Sequence, residues 1–304
     1  MRFVNYRIKN KSDQSRVGFI INENVYDVQE SYHAFLEHEG LPNKDLPSDP
    51  ARFFGEGFKT INKAQDAFEY ISEFPQTVQK FLREEVVLGP PNPNPGKIIC
   101  VGLNYADHVK EMGSELQEYP VLFSKFSNAL VGPEDAIEKN ALTNMLDYEV
   151  ELVAMIGKEA SKVKREGAYK YIAGYTIGND ISARDLQKRT PQWLQGKTLD
   201  RSTPIGPWVV TTDEFKPDNI GVRSYVNGEL RQQSNTRHFI FNIPYLIEFI
   251  SNLITLQPGD LIFTGTPDGV GMGRKPQQFL QAGDMVTLEI DGIGVLENKI
   301  IDQQ

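Results

Sequence analysis

The side chains best placed for chemistry lie in Leu146-Asp147-Tyr148-Glu149-Val150-Glu151-Leu152-Val153-Ala154-Met155-Ile156, whose β-branched and aromatic content predicts a strand. On such a strand Glu149 and Glu151 point to one face roughly 6 to 7 Å apart, followed there by Val153 and Met155. The opposite face, Tyr148, Val150, Leu152, Ala154 and Ile156, is apolar throughout. The strand is therefore expected to be buried on both sides, and its two carboxylates need a compensating cation. An isolated Glu-x-Glu is more often a pair of solvated ion pairs at a strand end. A third carboxylate shifts that balance. Asp180 closes the apolar run of residues 172–180, just before Ser182-Ala183-Arg184-Asp185. That tetrapeptide is a capping-box-like helix start, which would set Asp180 beside backbone N–H groups that favour anions. Three hard oxygen ligands suit Mg²⁺, Mn²⁺ or Ca²⁺ and leave positions for water and a chelating substrate.

A second constellation is His108 and Glu111, within Asn104-Tyr105-Ala106-Asp107-His108-Val109-Lys110-Glu111-Met112. At i and i+3 on a short helix the two share a face, so the carboxylate can orient the ring and let it take a proton from water. Taken alone, the same pair is an ordinary surface salt bridge. His33, His38 and His238 have no comparable partner pattern. Gly269-Val270-Gly271-Met272-Gly273 resembles a glycine-rich loop, but no helical pattern follows it, and a surface turn is expected there rather than a phosphate cradle. Neither G-x-G-x-x-G nor the P-loop pattern occurs, so nucleotide binding has no support.

These residues need elements to hold them. Residues 1–30 alternate as short strands, with a hairpin about Asn22-Glu23-Asn24. From residue 62 to 86, Ala67, Tyr70, Ile71, Phe74 and Val78 recur at helical steps, predicting a helix that Pro75 divides. This first part reads as a small α/β domain. The run Gly89-Pro90-Pro91-Asn92-Pro93-Asn94-Pro95-Gly96 permits neither helix nor central strand and marks a boundary between residues 1–90 and 97–304. Beyond it, strands are predicted at residues 97–102, 120–126, 146–156, 172–178, 208–211, 222–226, 260–264 and 284–290. Pro258-Gly259-Asp260 and Ala282-Gly283-Asp284 are turns of one kind, each opening an apolar alternation. Helices are few, at residues 104–112, 182–187 and 243–253. The mixture predicts a β-rich α+β domain, not a doubly wound parallel sheet.

Composition narrows the rest. At 304 residues and 39% hydrophobic content the chain can bury a core, which argues against disorder, collagen and coiled coil. With 32 Lys+Arg against 41 Asp+Glu the net charge is −9, and no basic run could follow a phosphate backbone, so nucleic acid is not an expected partner. The single cysteine, Cys100, forms neither an intrachain disulfide nor a cysteine metal site, which points to a reducing compartment and to metal ligands of oxygen or imidazole. Residues 1–9 interrupt their apolar positions with charge, and no stretch reaches the roughly 18 apolar residues of a span. The expectation is a cytoplasmic protein with no membrane partner.

At these residues the sequence resembles the fumarylacetoacetate hydrolase family, from Lys97 to about Gly294. The likeness is carried in order by Val101-Gly102-Leu103-Asn104-Tyr105-Ala106-Asp107-His108, Asp147-Tyr148-Glu149-Val150-Glu151-Leu152, Asn179-Asp180-Ile181-Ser182-Ala183-Arg184-Asp185-Leu186-Gln187, Gly196-Lys197, Val226-Asn227-Gly228-Glu229-Leu230-Arg231 and Thr264-Gly265-Thr266-Pro267-Asp268-Gly269-Val270-Gly271. The resemblance implies an α+β fold with a mixed β-roll catalytic domain and an N-terminal accessory domain. It also implies a homodimer and a divalent metal, Mg²⁺ or Mn²⁺ with Ca²⁺ as a substitute, held by Glu149, Glu151 and Asp180.

Within the family the sequence is most similar to the acylpyruvate hydrolase and oxaloacetate decarboxylase branch. There a helix like residues 104–115 acts as a lid, the pair matching His108 and Glu111 handles water or a proton, and the lysine matching Lys197 stabilises negative charge. Arg184, Gln187 and Thr266 match substrate-contacting positions, and Lys125 a basic residue near the pocket. Leu103 and Phe126 depart from the basic residue and the proline common at their positions, which bears on the substrate's distal group. Residues and resemblance together imply cleavage of the C3–C4 bond of 2-oxo acids through a metal-bound pyruvate enolate. In an acylpyruvate, His108 would deliver water to the C4 carbonyl, whereas oxaloacetate would lose CO₂ with no nucleophile. The rival within the family is isomerisation or decarboxylation of hydroxylated dienoic diacids. A non-enzymatic metal-stabilised dimer would not need Lys197, Arg184 and the His108 pair.

Overall fold

The computed structural model describes residues 1–11 and 14–303. Its largest element is a twelve-stranded sheet. The path runs from Lys80–Leu82 through Asn24–Asp27, Arg16–Ile21, Arg2–Ile8, Thr203–Thr211, Ile172–Asn179, Val150–Ile156, Leu261–Phe263 and Ile98–Gly102 to Val121–Lys125. Neighbours are mostly antiparallel, but Leu261–Phe263 runs parallel to Ile98–Gly102. A five-stranded sheet of Glu229–Asn235, Gly221–Val226, Met285–Ile290, Gly294–Asp302 and Ile137–Lys139 packs against it. The class is α+β with mixed sheets, as the alternation of short strands and rare helices predicts.

The predicted hairpin forms, and its turn residues Asn22 and Glu23 both take positive φ, 48° and 65°, the geometry that matches strand twist. The two glycine turns are alike in detail. Asp260 and Asp284 each accept the N–H three residues back, from Gln257 at 2.7 Å and Gln281 at 2.8 Å, and return their own N–H to the same residue's carbonyl. Ile243–Leu253 is the predicted helix, capped by Asn242.

Three local readings change. The helix expected over residues 62–86 is Phe58–Glu73, and after Pro75 the chain forms the strand Lys80–Leu82, so Val78 lies off it. Val28–His38 and Pro50–Gly55, unannounced by the apolar spacing, are helices with Asp27 and Asp49 as N-caps. The single strand expected over residues 146–156 is two, Leu146–Asp147 and Val150–Ile156. Side chains take over the backbone bonds at the break: Glu149 N–H donates to Asn179 Oδ1 and Val150 N–H to Gln232 Oε1.

Arg2–Ile8 joins the large sheet directly, with Arg2 opposite Val210 and Phe3 opposite Val209. One apolar cluster accordingly runs from Phe3, Phe19 and Phe53 to Val153, Met155 and Phe263. The site residues sit at the ends of the strands beyond this cluster.

Candidate active site

Glu151 is the second residue of strand Val150–Ile156, Glu149 precedes that strand, and Asp180 follows Ile172–Asn179, its antiparallel neighbour. Adjacent strand ends thus bring the three carboxylates together. All are buried, and one oxygen from each lies within 4.8 Å of the others. The capping-box explanation for Asp180 does not hold. Ala183, not Ser182, occupies the N-cap of the four-residue helix Arg184–Gln187 and makes no side-chain bond. Ser182 lies on a short strand opposite Asp147, and Asp185 accepts from the Thr143 hydroxyl at 2.6 Å. Asp180 is instead held by two lysines, Lys125 Nζ at 2.8 Å and Lys197 Nζ at 2.6 Å.

Lys197 also reaches Glu149 Oε2 at 2.7 Å and rests over the Phe123 ring. Arg184 is anchored by protein partners, with Nη2 left in an ion pair that makes no hydrogen bond. Its Nε donates to Asp147 Oδ2 at 2.8 Å, Nη1 to Gln187 Oε1 at 3.0 Å, and Nη2 lies 2.7 Å from Glu149 Oε1. Burial alone would push the Glu149 carboxyl up, but Lys197 and Arg184 outweigh it and hold it far below the ordinary range. Glu151 goes the other way. Burial, then repulsion from Asp180 and Glu149, raises its carboxyl well above the ordinary value. Its polar contact is the Gly265 N–H at 2.7 Å, and among the described residues no Lys, Arg or His forms an ion pair with it. Three hard carboxylate oxygens, one without a protein cation, fit a divalent cation.

Above the cluster stands Ala106–Glu111, shorter than the predicted helix. His108 is 5% exposed, so the surface-salt-bridge reading of the pair fails. Its Nδ1 lies 3.1 Å from Glu111 Oε2, and Glu111 Oε1 accepts the Gly269 N–H at 2.9 Å. Asn104 anchors the helix entry, accepting from Phe241 N–H at 2.7 Å and donating to the Thr264 carbonyl at 2.7 Å. Leu103 precedes it at φ 57°. A cavity of about 150 Å³ lies between helix and cluster, lined by His108, Glu149, Glu151, Asp180, Arg184, Gln187, Lys197 and Thr266 together with Leu103, Phe123 and Trp193. Lys125 and Glu111 stand one layer behind this lining.

The glycine loop is neither a surface turn nor a phosphate cradle. Val270 and Gly271 are buried, and backbone N–H groups of Gly269, Gly271 and Met272 donate to Glu111 Oε1, Asp147 Oδ1 and Asp147 Oδ2. Gly269 takes φ 98°, and a Cβ there would overlap the Arg231 carbonyl. Sequence reasoning gave Asp147 and Gln232 no role. Gln232 carries Thr266 through Nε2 to Oγ1 at 2.8 Å while its Oε1 serves Val150. The family-like stretch of residues 226–231 ends just before Gln232 and so did not mark it.

A mixed-sheet fold with a buried carboxylate cluster under a His–Glu helix defines a small-acid enzyme site. The Fumarylacetoacetate (FAA) hydrolase C-terminal family matches residues 97–301, and the chain belongs to that family. It is 41% identical over 292 residues to the oxaloacetate tautomerase YisK of Bacillus subtilis, covering 93% of this chain and 95% of the relative. The solved fumarylacetoacetate hydrolase of the psychrophile Exiguobacterium antarcticum matches with a TM-score of 0.79 and 35% identity over all of both chains. The maleylpyruvate hydrolase of Sphingobium sp. SYK-6, solved with manganese(II) and pyruvate, matches over all of both chains with a TM-score of 0.76 and 27% identity.

Proposed function

We propose that this protein is a divalent-metal-dependent enzyme that cleaves the C3–C4 bond of 2-oxo acids, by oxaloacetate decarboxylation, acylpyruvate hydrolysis or both. The observation that carries the reading is the convergence on one cavity of Glu149, Glu151 and Asp180 with His108 and Lys197. Mg²⁺ or Mn²⁺ held by the three carboxylates would supply Lewis-acid polarisation of the 2-oxo group. Lys197, fixed between Glu149 and Asp180, adds positive charge where negative charge grows on the C2 oxygen. Glu111 occupies His108 Nδ1, which leaves Nε2 to take a proton from water attacking an acylpyruvate C4 carbonyl. Arg184 orients Glu149, Gln187 completes the wall beside it, Thr266 offers its hydroxyl to the substrate, and Lys125 fixes Asp180 from behind. The cavity, well below the roughly 300–1,000 Å³ of drug-sized sites, suits a compact acid and favours oxaloacetate.

The Bacillus subtilis relative supports a second reading, tautomerisation of oxaloacetate, in which a C3 proton moves and no carbon–carbon bond breaks. Purified protein with Mg²⁺ or Mn²⁺ is offered oxaloacetate, acetylpyruvate, fumarylpyruvate and hydroxylated dienoic diacids while pyruvate is assayed. Pyruvate from the first three supports cleavage. Loss of enol absorbance without pyruvate supports tautomerisation, turnover of the diacids alone supports the isomerase, and no turnover of any of them refutes an enzyme of this class. The proposal extends to a cytoplasmic homodimer divided at residues 90 and 97. The buried lone cysteine and the family match beginning at residue 97 support the compartment and the division. The mass in solution tests the dimer.

A further inference from the structure

The dipeptide before the first ligand, Asp147-Tyr148, is wholly buried and takes no part in the chemistry above. Both side chains grip the glycine loop. Asp147 accepts the N–H groups of Gly271 at 2.7 Å and Met272 at 3.0 Å, and the Tyr148 hydroxyl donates to the Gly269 carbonyl at 2.9 Å. The same Gly269 gives its N–H to Glu111, which holds His108. On the other side, Arg184 divides its guanidinium between Asp147 and Glu149. A continuous chain of one ion pair and several hydrogen bonds thus leads from a carboxylate of the cluster to the imidazole above it. With the Tyr148 N–H at 3.0 Å as a fourth donor, two to each oxygen, the buried carboxylate is held tightly, and an amide in its place leaves two donors without their acceptor.

We infer that Asp147 and Tyr148 are positioning residues that couple cation occupancy of the Glu149–Glu151–Asp180 cluster to the seating of the His108–Glu111 helix, with the loop of residues 269–273 as the strut between them. Glu149 follows the pair directly in the chain, so a ligand that fixes Glu149 fixes the dipeptide, and the dipeptide fixes the loop on which Glu111 hangs. Gly273 gives an independent handle. A Cβ at that position would overlap the Glu111 carboxylate, so Gly273→Ala displaces Glu111 without altering Asp147 or Tyr148.

The inference rests on the metal reading of the cluster, and the test separates the two. Amide hydrogen exchange of the full chain is followed with and without Mn²⁺, and Mn²⁺ affinity is measured by calorimetry. In the unaltered protein Mn²⁺ is expected to slow exchange at residues 146–151 and also at residues 105–113. In Asp147→Asn and in the milder Tyr148→Phe, Mn²⁺ still binds and protects residues 146–151, but exchange at 105–113 stays within about twofold of its metal-free rate. Gly273→Ala is expected to lose protection at 105–113 with unchanged Mn²⁺ affinity. On substrate, Tyr148→Phe should lower kcat more than it raises KM, because the misplaced pair acts after binding. Protection of 105–113 that survives in all three variants, or that is missing from the unaltered protein while Mn²⁺ binds, overturns the coupling. Failure of Mn²⁺ to bind the unaltered protein overturns the metal reading and the coupling with it.

Discussion

Two of the places where the molecule buries charge are built differently. In the N-terminal part Asp27 sits beside a groove of about 710 Å³, paired with Arg16 at 2.6 and 2.9 Å and with the Tyr6 hydroxyl at 2.8 Å. The buried charge there, Asp27, has its partners on the chain. At the carboxylate cluster the cavity is nearly five times smaller, yet among the described residues Glu151 forms no ion pair: it accepts one backbone N–H, and repulsion from Asp180 and Glu149 outweighs the pull of Lys197. Cavity size does not separate the two regions; uncompensated charge does. A satisfied buried network stabilises the fold, whereas an unsatisfied one needs a ligand.

The largest effect expected from that contrast is at the ligands. Glu149→Gln, Glu151→Gln and Asp180→Asn should each lower turnover by more than the roughly 10- to 100-fold typical of residues outside the metal's own ligands. Chelation should abolish it, and Mn²⁺ should restore it to the unaltered protein alone. Pyruvate release measured after dialysis against a chelator decides this, and full turnover by the metal-free protein would make the cluster a structural network like that of Asp27.

Next in size is the His108–Glu111 pair. His108→Ala should slow acylpyruvate cleavage by roughly 10²- to 10⁴-fold, the usual worth of a positioned acid–base group, and oxaloacetate decarboxylation by less. Adding Glu111→Gln should cost little more, since the two act as a unit. Additive losses, or equal losses on both substrates, would remove His108 from the role of hydrolytic base.

What could be read in advance follows the same line between side-chain and backbone chemistry. The clustering of Glu149, Glu151 and Asp180 was legible because a site for a hard cation calls for carboxylates and these lie at or beside the ends of otherwise apolar strands. The cradle at residues 269–273 was not, because its donors are backbone N–H groups, which every residue except proline carries. The glycines recorded close approach, but the partners approached, Glu111 and Asp147, lie more than a hundred residues away. The pairing of Arg2–Ile8 with Thr203–Thr211 escaped for a similar reason, since strand alternation marks a buried face and not a neighbour.

A smaller effect, on stability alone, is expected in the N-terminal network. Asp27→Asn weakens the contact with Arg16, which is partly exposed, and the cap on Val28–His38. The cost should be about 1–3 kcal/mol in denaturant unfolding. Turnover and Mn²⁺ affinity should not change. A fall in turnover at a temperature where the variant remains folded would show that the two networks communicate.

The smallest effect is at Tyr6, and its sign follows from proton linkage. Burial, then the charge of Asp27, raises the phenol well above its ordinary 10.0. Below about pH 10 both folded and unfolded chains keep this proton, and the hydrogen bond to Asp27 contributes in full. As pH rises further the unfolded chain releases the proton while the folded one retains it. The folded state then binds more protons, and stability falls with pH. Tyr6→Phe removes both the bond and the titration. The variant should be less stable than the unaltered protein by about 0.5–1.5 kcal/mol near neutrality, and the gap should narrow between about pH 9 and 11. Other buried tyrosines, Tyr148 and Tyr175 among them, titrate in both proteins and cancel in the difference. Denaturant midpoints of the two proteins across that range provide the check, and a gap independent of pH would mean that Asp27 does not hold the Tyr6 proton in the folded state.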